Sequence, residues 1–393
     1  MELLNPRRVY LDANATTPPS EKAIESFNAA VREAWGNPSA SYYEARLSRT
    51  ALNDSRMVFA NAMGGVPSEC ILFTSSGTES NNIALRSVMI RAIAIGRPIL
   101  IISNVEHASV RKTAECLSTS GVIVKKVRVD SKGMVIPSDF ERLLLQDRNR
   151  IGMISIILAQ NEVGTIQNIR LLSSMAQRIL GNNVVPFHTD ATQAFGKIRG
   201  IEPRRMGVSL MTASAHKFHG LRGVGILFSE PGLIDSISTP ITGGGQERGC
   251  RSGTENVAAI VAAAVAIIEA LGDSWVSDIL QIKSIRDEML ELFLRSVPGV
   301  IINGDPVNGL PNTLNITFPG VSSRELSALL DKNGISVAGG SACSKAKPSE
   351  VLHAMYGHDV DGALRLSISR VNTRDECLYA AREIVGAWKS LRT

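Results

Sequence analysis

Lys217 closes the segment Thr212–Lys217, in which small side chains precede His216 and the lysine itself. A glycine-spaced stretch, residues 219–225, follows directly. An aldehyde cofactor requires an amine that can form a Schiff base and an acid that can face its ring, and Asp190 lies upstream to supply the acid. The alternative is an ordinary surface lysine on a turn. Lys217 and Asp190 therefore form a candidate cofactor site, which other motifs must support.

The segment Phe73–Asn82 places serine, threonine and glycine between an apolar run and a helical pattern. In this position the backbone N–H groups near Gly77 and Thr78 would point outward at a helix N-terminus, where a phosphate is favoured. A turn of this composition can also do no more than cap the helix. The segment is a candidate phosphate site with that alternative open.

Two polar residues follow apolar runs that we predict to be strands. Asp190 comes after the predicted strand Val184–Phe187, and His107 comes after another run, Pro98–Ile102. Open α/β sheets bind ligands at the C-terminal ends of their strands, and a carboxylate there would keep a pyridine nitrogen protonated. Asp190 can instead cap the next helix, and His107 can instead be a hydrogen-bonded buried histidine.

Three further features carry basic or nucleophilic groups. The glycine-rich loop Gly243–Asn256 contains two arginines and is long enough to approach a phosphate or a neighbouring subunit. Cys343 lies in a second glycine-rich loop beside Lys345 and Lys347, whose charge would raise its thiolate fraction, although most cysteines are inert core residues. Arg365 interrupts a strand-like run, where it could bind a carboxylate or form a structural ion pair.

The surrounding pattern predicts an α/β fold. Short apolar runs alternate with helical stretches from about residue 70 to 230, which indicates a largely parallel sheet buried on both faces. Val257–Leu271 is apolar nearly all round and is predicted to be a long buried helix at a domain junction. A smaller α+β domain is expected after it, with strands at Leu314–Phe318, Ser336–Ala338 and Leu364–Ser369.

Composition narrows the class of protein. The chain has 393 residues, of which 44% are hydrophobic, and its formal charge of +5 is not gathered into a basic run, so direct nucleic-acid binding is weakly supported. The 5 cysteines lack C-x-x-C spacing, which argues against a disulfide framework and a structural zinc site. We find neither an apolar leader nor a membrane-spanning run, and we expect a cytoplasmic protein.

Taken together, the motifs are similar to those of one family. Nine segments occur in order: Leu11–Pro18, Gly36–Ser39, Thr74–Asn82, Glu106–His107, Asn161–Thr165, Asp190–Gln193, Ser214–Lys217, Gly243–Asn256 and Ser341–Cys343. They resemble the cysteine desulfurases of the class V aminotransferase family, the NifS/IscS type, over residues from about 9 to 380.

The resemblance implies a fold-type-I homodimer that uses pyridoxal 5'-phosphate (PLP) and binds no metal. Its large domain, residues 14–262, would carry a mostly parallel seven-stranded sheet, and its small domain, residues 263–393 with 1–13, would carry a mobile cysteine loop. The implied site residues are Lys217 on the cofactor aldehyde, Asp190 on the ring nitrogen, His107 over the ring as acid and base, Gln193 on the ring hydroxyl, Gly77, Thr78, Ser214 and His216 on the phosphate, Thr254 reaching over from the other subunit, and Asn161 and Arg365 on the substrate carboxylate.

The implied reaction converts L-cysteine to L-alanine. Lys217 would remove the Cα proton, and the Cys343 thiolate would attack the substrate sulfur to leave a persulfide, which passes to an acceptor protein that the sequence does not identify. An iron–sulfur scaffold, tRNA thiolation, thiocofactor synthesis and sulfur modification of DNA are all open. Two alternatives to this activity remain: a lyase for selenocysteine or cysteine sulfinate, and a catalytically silent scaffold in a sulfur-transfer assembly.

Departures from the family pattern concern loop shape. Tyr42 and Ala45 stand where the family commonly has histidine and glycine, and the segment after Lys217 reads His219–Gly223 with leucine and arginine in its middle. The spacing between Cys343 and Arg365 is somewhat shorter than the usual form of the family. We expect these differences to affect packing and loop reach more than chemistry.

Overall fold

The computed structural model describes residues 8–181, 185–234, 241–339 and 348–392. Its strands are β1 (Val9–Tyr10), β2 (Ile71–Thr74), β3 (Ile99–Ser103), β4 (Ile123–Val127), β5 (Ile151–Ser155), β6 (Phe187–Asp190), β7 (Leu210–Ser214), β8 (Gly225–Ser229), β9 (Ile301–Asn303), β10 (Thr313–Thr317), β11 (Ile335–Ser336), β12 (Ala338–Gly339) and β13 (Ala363–Ser367).

The helices surround these strands. They are α1 (Glu21–Glu33), α2 (Tyr43–Ala62), α3 (Gly77–Ala94), α4 (Ala108–Ser118), α5 (Pro137–Gln146), α6 (Ile169–Leu180), α7 (Pro203–Met206), α8 (Pro231–Ile234), α9 (Val257–Leu271), α10 (Trp275–Ser296), α11 (Ser323–Lys332), α12 (Glu350–Tyr356) and α13 (Arg374–Ser390). Short 3-10 turns occur at Ser68–Cys70, Ala215–Lys217 and Glu247–Gly249.

A seven-stranded sheet in the order β2-β8-β7-β6-β5-β3-β4 forms the centre of the larger part of the molecule. The strands β7, β6, β5, β3 and β4 run parallel, and β8 is antiparallel to both of its neighbours. Every residue of β2, β3 and β5 to β8 is buried, because helices cover both faces. Parallel strands direct their carboxyl ends to one edge, so polar residues that end or follow β3, β5, β6 and β7 meet there.

A second sheet, in the order β12-β13-β10-β9, is antiparallel throughout and has its own core with Phe293, Phe318 and Trp388. The chain start belongs to this core: Val9 and Leu11 pack in it, and β1 pairs in parallel with β11. The α/β fold class is confirmed. The domain limits 14–262 and 263–393 with 1–13 stay predictions.

Two strand predictions were wrong in detail. Of the strand predicted at Val184–Phe187, Val184 lies outside the described residues; β6 includes Phe187 and continues to Asp190, because hydrogen bonds within the sheet allow His188 and Thr189 to be buried. The predicted strand Ser336–Ala338 is divided between two sheets: Ser336 pairs with Tyr10 and Ala338 with Arg365. The predicted buried helix coincides with α9.

No single helix in the described ranges combines the length and apolarity needed to cross a membrane, although α9 and α10 meet that test as a pair bent by 75°. The same part of the chain holds no group of three or more His, Cys, Asp or Glu side chains placed to bind a metal ion.

Gly225, the first residue of β8, lies against the loop that leads into α3. A Cβ there would be 2.3 Å from Ser76 C, Ser76 O and Thr74 Oγ1. We expect Gly225→Ala to displace this loop and lower the free energy of unfolding by about 1–3 kcal/mol. Urea denaturation measures the change.

Gly386 supplies the matched control, because it lies exposed within α13 and a Cβ there meets nothing within 4 Å. Gly386→Ala should raise the free energy of unfolding by about 0.5–1 kcal/mol, since alanine has the higher helix propensity. Equal effects of the two substitutions would contradict the packing argument.

Candidate active site

A cavity of about 370 Å³ opens at the carboxyl edge of the large sheet. Its walls are residues that end or follow β3, β5, β6 and β7, the first turn of α3, Asn14 and Ala15 near the chain start, and Arg365 of β13. This volume lies within the range that small-molecule and cofactor sites occupy. Most of the predicted site residues line it.

Lys217 lies in the 3-10 turn that follows β7 and is half-buried at the cavity wall. Its Nζ donates hydrogen bonds to the backbone oxygens of Asn14 and Ala15, both at 2.7 Å. Two backbone oxygens hold the amine at the cavity wall, so Lys217 is not a lysine on an exposed turn.

Asp190 ends β6 and is 3% exposed. Its Oδ2 accepts a hydrogen bond from Asn81 Nδ2 at 2.7 Å, and its Oδ1 accepts one from the backbone N–H of Thr192 at 2.9 Å. Asn81 lies on α3 and was missed as a site residue, although it stands inside the glycine–threonine motif. The carboxylate is therefore fixed at the wall of the cavity by partners from two elements.

Two interpretations of the segment Phe73–Asn82, a helix cap and a phosphate site, are both compatible with the first turn of α3. Ser76 caps the helix, since its Oγ accepts a hydrogen bond from the N–H of Glu79 at 3.1 Å. Gly77 and Thr78 follow it and line the cavity. A Cβ on Gly77 would lie 3.0 Å from Thr192 Oγ1, so glycine keeps the space at the helix N-terminus open.

His216 and Ser214 complete this part of the wall. His216 Nδ1 lies 3.0 Å from Thr16 Oγ1, and burial lowers the pKa of His216 to about 4, so the ring is neutral near pH 7. Ser214 is 2% exposed, and its Oγ lies 3.5 Å from the backbone oxygen of Val224. Both side chains are neutral hydrogen-bonding groups.

His107 precedes α4 as its N-cap and lines the cavity. The N–H of Ser109 donates to His107 Nδ1 at 3.1 Å, so the neutral ring carries its proton on Nε2. Burial lowers the pKa of His107, an effect that the charge of Asp190 partly opposes. A neutral imidazole with a defined tautomer therefore lies at the cavity wall.

Glu106 is a buried carboxyl group that the sequence analysis did not select, although it is part of the Glu106–His107 motif. Burial raises its pKa to about 8, and the nearby charge of Asp190 acts in the same direction. Its Oε1 accepts hydrogen bonds from Ser103 Oγ at 2.5 Å and from the N–H of Ile157 at 2.9 Å. Glu106 therefore joins the end of β3 to the segment after β5.

Arg365 lies on β13 and is 2% exposed. It donates to Asp12 Oδ1 at 2.5 Å and to the backbone oxygen of Asn161 at 3.1 Å, so the predicted ion-pair alternative is present. Its Nε is buried and has no hydrogen-bond partner among the described residues. Asn161 and Gln193 also line the cavity, and Gln193 Nε2 donates to the backbone oxygen of Asn14 at 2.8 Å.

One predicted residue in the described ranges, Thr254, does not line this cavity. Thr254 lines a separate cavity of about 190 Å³ with Arg251 and Glu255. Its role was predicted for the site of a second subunit and stays a prediction. Cys343 lies outside the described residues, and its role also stays a prediction.

Comparisons with known proteins identify the family of the chain. Residues 9–379 match the family model described as aminotransferase class-V. The cysteine desulfurase IscS of Dictyoglomus turgidum (strain DSM 6724 / Z-1310) is 36% identical over 98% of this chain and 96% of its own length.

Two solved structures resemble the whole fold. A NifS-like protein is 33% identical, with a TM-score of 0.89 over 98% of this chain and 100% of its own. SspA in complex with cysteine is 27% identical, with a TM-score of 0.79 over 93% of this chain and 99% of its own. The chain therefore belongs to the class-V aminotransferase family, in the group of the NifS- and IscS-type cysteine desulfurases.

Proposed function

We propose that this protein is a PLP-dependent cysteine desulfurase, which takes the sulfur from L-cysteine and leaves L-alanine. The observation that carries the proposal is the common cavity wall of Lys217, Asp190 and the first turn of α3. Members of the family generally depend on PLP, and relatives similar over nearly the whole chain carry the name cysteine desulfurase.

The residues present fit PLP. Thr192 Oγ1 and Asn81 Oδ1 are buried without a hydrogen-bond partner among the described residues, and Thr192 also lines the cavity wall. Unpaired buried polar atoms of this kind are costly, and a polar ligand would satisfy them. Lys217 would hold the aldehyde, Asp190 the ring nitrogen, and Gly77 and Thr78 the phosphate at the N-terminus of α3. When bound, PLP supplies an electron sink that stabilises negative charge at the substrate Cα.

The surrounding side chains define the substrate end of the cavity. Arg365 Nε is a buried donor whose other guanidinium nitrogens are occupied by Asp12 and Asn161, so it is preorganised for the carboxylate of an amino acid. Lys217 Nζ is the base that would take the Cα proton of cysteine. His107, neutral and protonated on Nε2, can donate or accept a proton over the cavity.

The sulfur step is proposed from the sequence alone. The Cys343 thiolate would attack the sulfur of cysteine, the C–S bond would break, and the sulfur would remain on the enzyme as a persulfide. Protonation of the substrate carbon then gives alanine. A sulfur-acceptor protein takes the persulfide sulfur, and we propose a cytoplasmic homodimer in which Thr254 serves the neighbouring site.

Lys217→Ala should lower the rate of alanine formation from L-cysteine by at least about a hundredfold, because the variant lacks both the amine for the cofactor and the base for the Cα proton. The measurement is alanine and sulfide released by purified protein supplied with PLP. Lys283→Ala is the control, since Lys283 lies on α10 and pairs with Asp287. Equal rates in the two variants would rule out Lys217 as the cofactor lysine, and no alanine from the wild type would remove the proposed function.

Cys343→Ala should stop alanine formation from L-cysteine, because no thiol receives the sulfur, while Cys116→Ala, which removes an exposed free thiol, should not. The same assays run with selenocysteine and cysteine sulfinate separate the alternatives. A wild-type protein that acts faster on selenocysteine or cysteine sulfinate than on L-cysteine, with that activity retained in Cys343→Ala, would identify the alternative lyase, whose reaction needs no protein thiol.

His107→Gln should lower kcat/KM for L-cysteine about a hundredfold. Burial lowers the pKa of His107 from its ordinary 6.5, so the ring stays mostly neutral as the pH falls through 6.5. It becomes protonated, and can no longer act as a base, only in more acidic solution. The pH profile of kcat/KM should therefore fall below pH 6.5 in the wild type. An acid limb centred above 6.5 would exclude His107 as the titrating base.

A further inference from the structure

Lys197 is a buried lysine directly behind the candidate active site. It lies in the turn after β6 and is 9% exposed. It is not among the described residues that line the 370 Å³ cavity, but it shares with Lys217 the wall of a smaller space of about 50 Å³. Burying a lysine costs free energy unless its N–H groups donate hydrogen bonds. The acceptors of these bonds therefore indicate the role of Lys197.

The amine of Lys197 is bonded to two side-chain oxygens. Nζ donates to Gln193 Oε1 at 2.7 Å and to Asn14 Oδ1 at 2.9 Å. Burial lowers the pKa of Lys197 well below its usual range, and the charge of Lys217 adds to this. A neutral amine still has two hydrogens for two acceptors, so both bonds persist in either protonation state.

These bonds fix which end of the Gln193 amide faces which neighbour. Oε1 faces the hydrogens of Lys197, and Nε2 donates to the backbone oxygen of Asn14 at 2.8 Å. A reversed amide would place its oxygen against the backbone oxygen of Asn14, which replaces the Nε2 hydrogen bond by a repulsive contact, and the Lys197 amine would lose Oε1 as an acceptor. Because Gln193 lines the cavity, the fixed amide keeps the second Nε2 hydrogen for a ligand.

We propose that Lys197 is a positioning residue, which sets the Gln193 amide so that it presents a hydrogen-bond donor to the ring hydroxyl of PLP. The inference rests on the proposed function, because it concerns the affinity for that cofactor. Lys197 acts through Gln193 and does not itself touch the ligand. Asn14 strengthens the arrangement, since its backbone oxygen accepts from both Gln193 and Lys217.

A double-mutant cycle tests this proposal. The variants are Lys197→Met, which keeps the length of the side chain and removes its donors, Gln193→Ala, and the two combined. The measurement is the equilibrium dissociation constant of PLP, followed by its absorbance during titration of apo protein. Lys197→Met should raise that constant about tenfold in the wild-type background and less than about twofold in the Gln193→Ala background. Lys283→Met, on the surface of α10, should leave it unchanged.

The outcomes separate the inference from the proposed function. A wild-type protein that does not bind PLP removes the proposed function. A wild-type protein that binds PLP, with the same effect of Lys197→Met in both backgrounds or with no effect in either, overturns the role of Lys197 alone. If circular dichroism shows Lys197→Met to be unfolded, Lys197→Gln takes its place in the cycle with the same expectations, because its shorter side chain also loses the contact with Gln193.

Discussion

The site depends on a buried carboxyl group, Asp190, whose oxygens are hydrogen-bonded by other parts of the protein. An ionised group at 3% exposure is stable only if hydrogen bonds replace its hydration. Asn81 of α3 and the N–H of Thr192 supply them, and Asn81 Nδ2 also donates to Ser109 Oγ of α4 at 2.8 Å. The same bonds that stabilise the carboxylate therefore hold the first turns of α3 and α4 at the edge of the sheet. The contacts that position the proposed cofactor-binding carboxyl group therefore also join the helices to the sheet.

The chain start connects this edge to the small sheet. Asn14 Nδ2 donates to Thr313 Oγ1 of β10 at 2.8 Å, and its N–H donates to Ser367 Oγ of β13 at 2.9 Å. Its backbone oxygen accepts from Lys217. One residue thus joins the lysine of the large sheet to the strand that carries Arg365, so the amine and the guanidinium keep a fixed relation although they belong to different sheets.

Elements and site residues that depend on neighbouring positions in the sequence could be predicted. Those that depend on contacts between distant positions could not. The helix α9 and most strands were found, because their apolar runs are continuous. The end of the strand with His188 was placed too early, since its polar residues form hydrogen bonds with Ser155 and Ile156, 33 positions away. Lys217 and Asp190 were identified from local motifs. Lys197 was not, because its meaning depends on Asn14, which is 183 positions distant.

Burial also determines the charge of the cavity. His107 and His216 are neutral near pH 7 because burial lowers the pKa of each. Glu106 is largely protonated there, because burial and the charge of Asp190 raise its pKa to about 8, so Asp190 faces no second full negative charge.

Among the described residues that line the cavity, the ionisable side chains besides the two histidines are Asp190, Lys217 and Arg365, and Arg365 is paired with Asp12. Besides that ion pair, the described lining therefore presents one acid, Asp190, and one amine, Lys217. The phosphate of the proposed cofactor would then be held mainly by oriented dipoles, which are the N–H groups at the start of α3 and the neutral donors beside them. Glycine at position 77 suits this role, because the absence of a Cβ leaves room for a ligand to approach the backbone N–H groups closely.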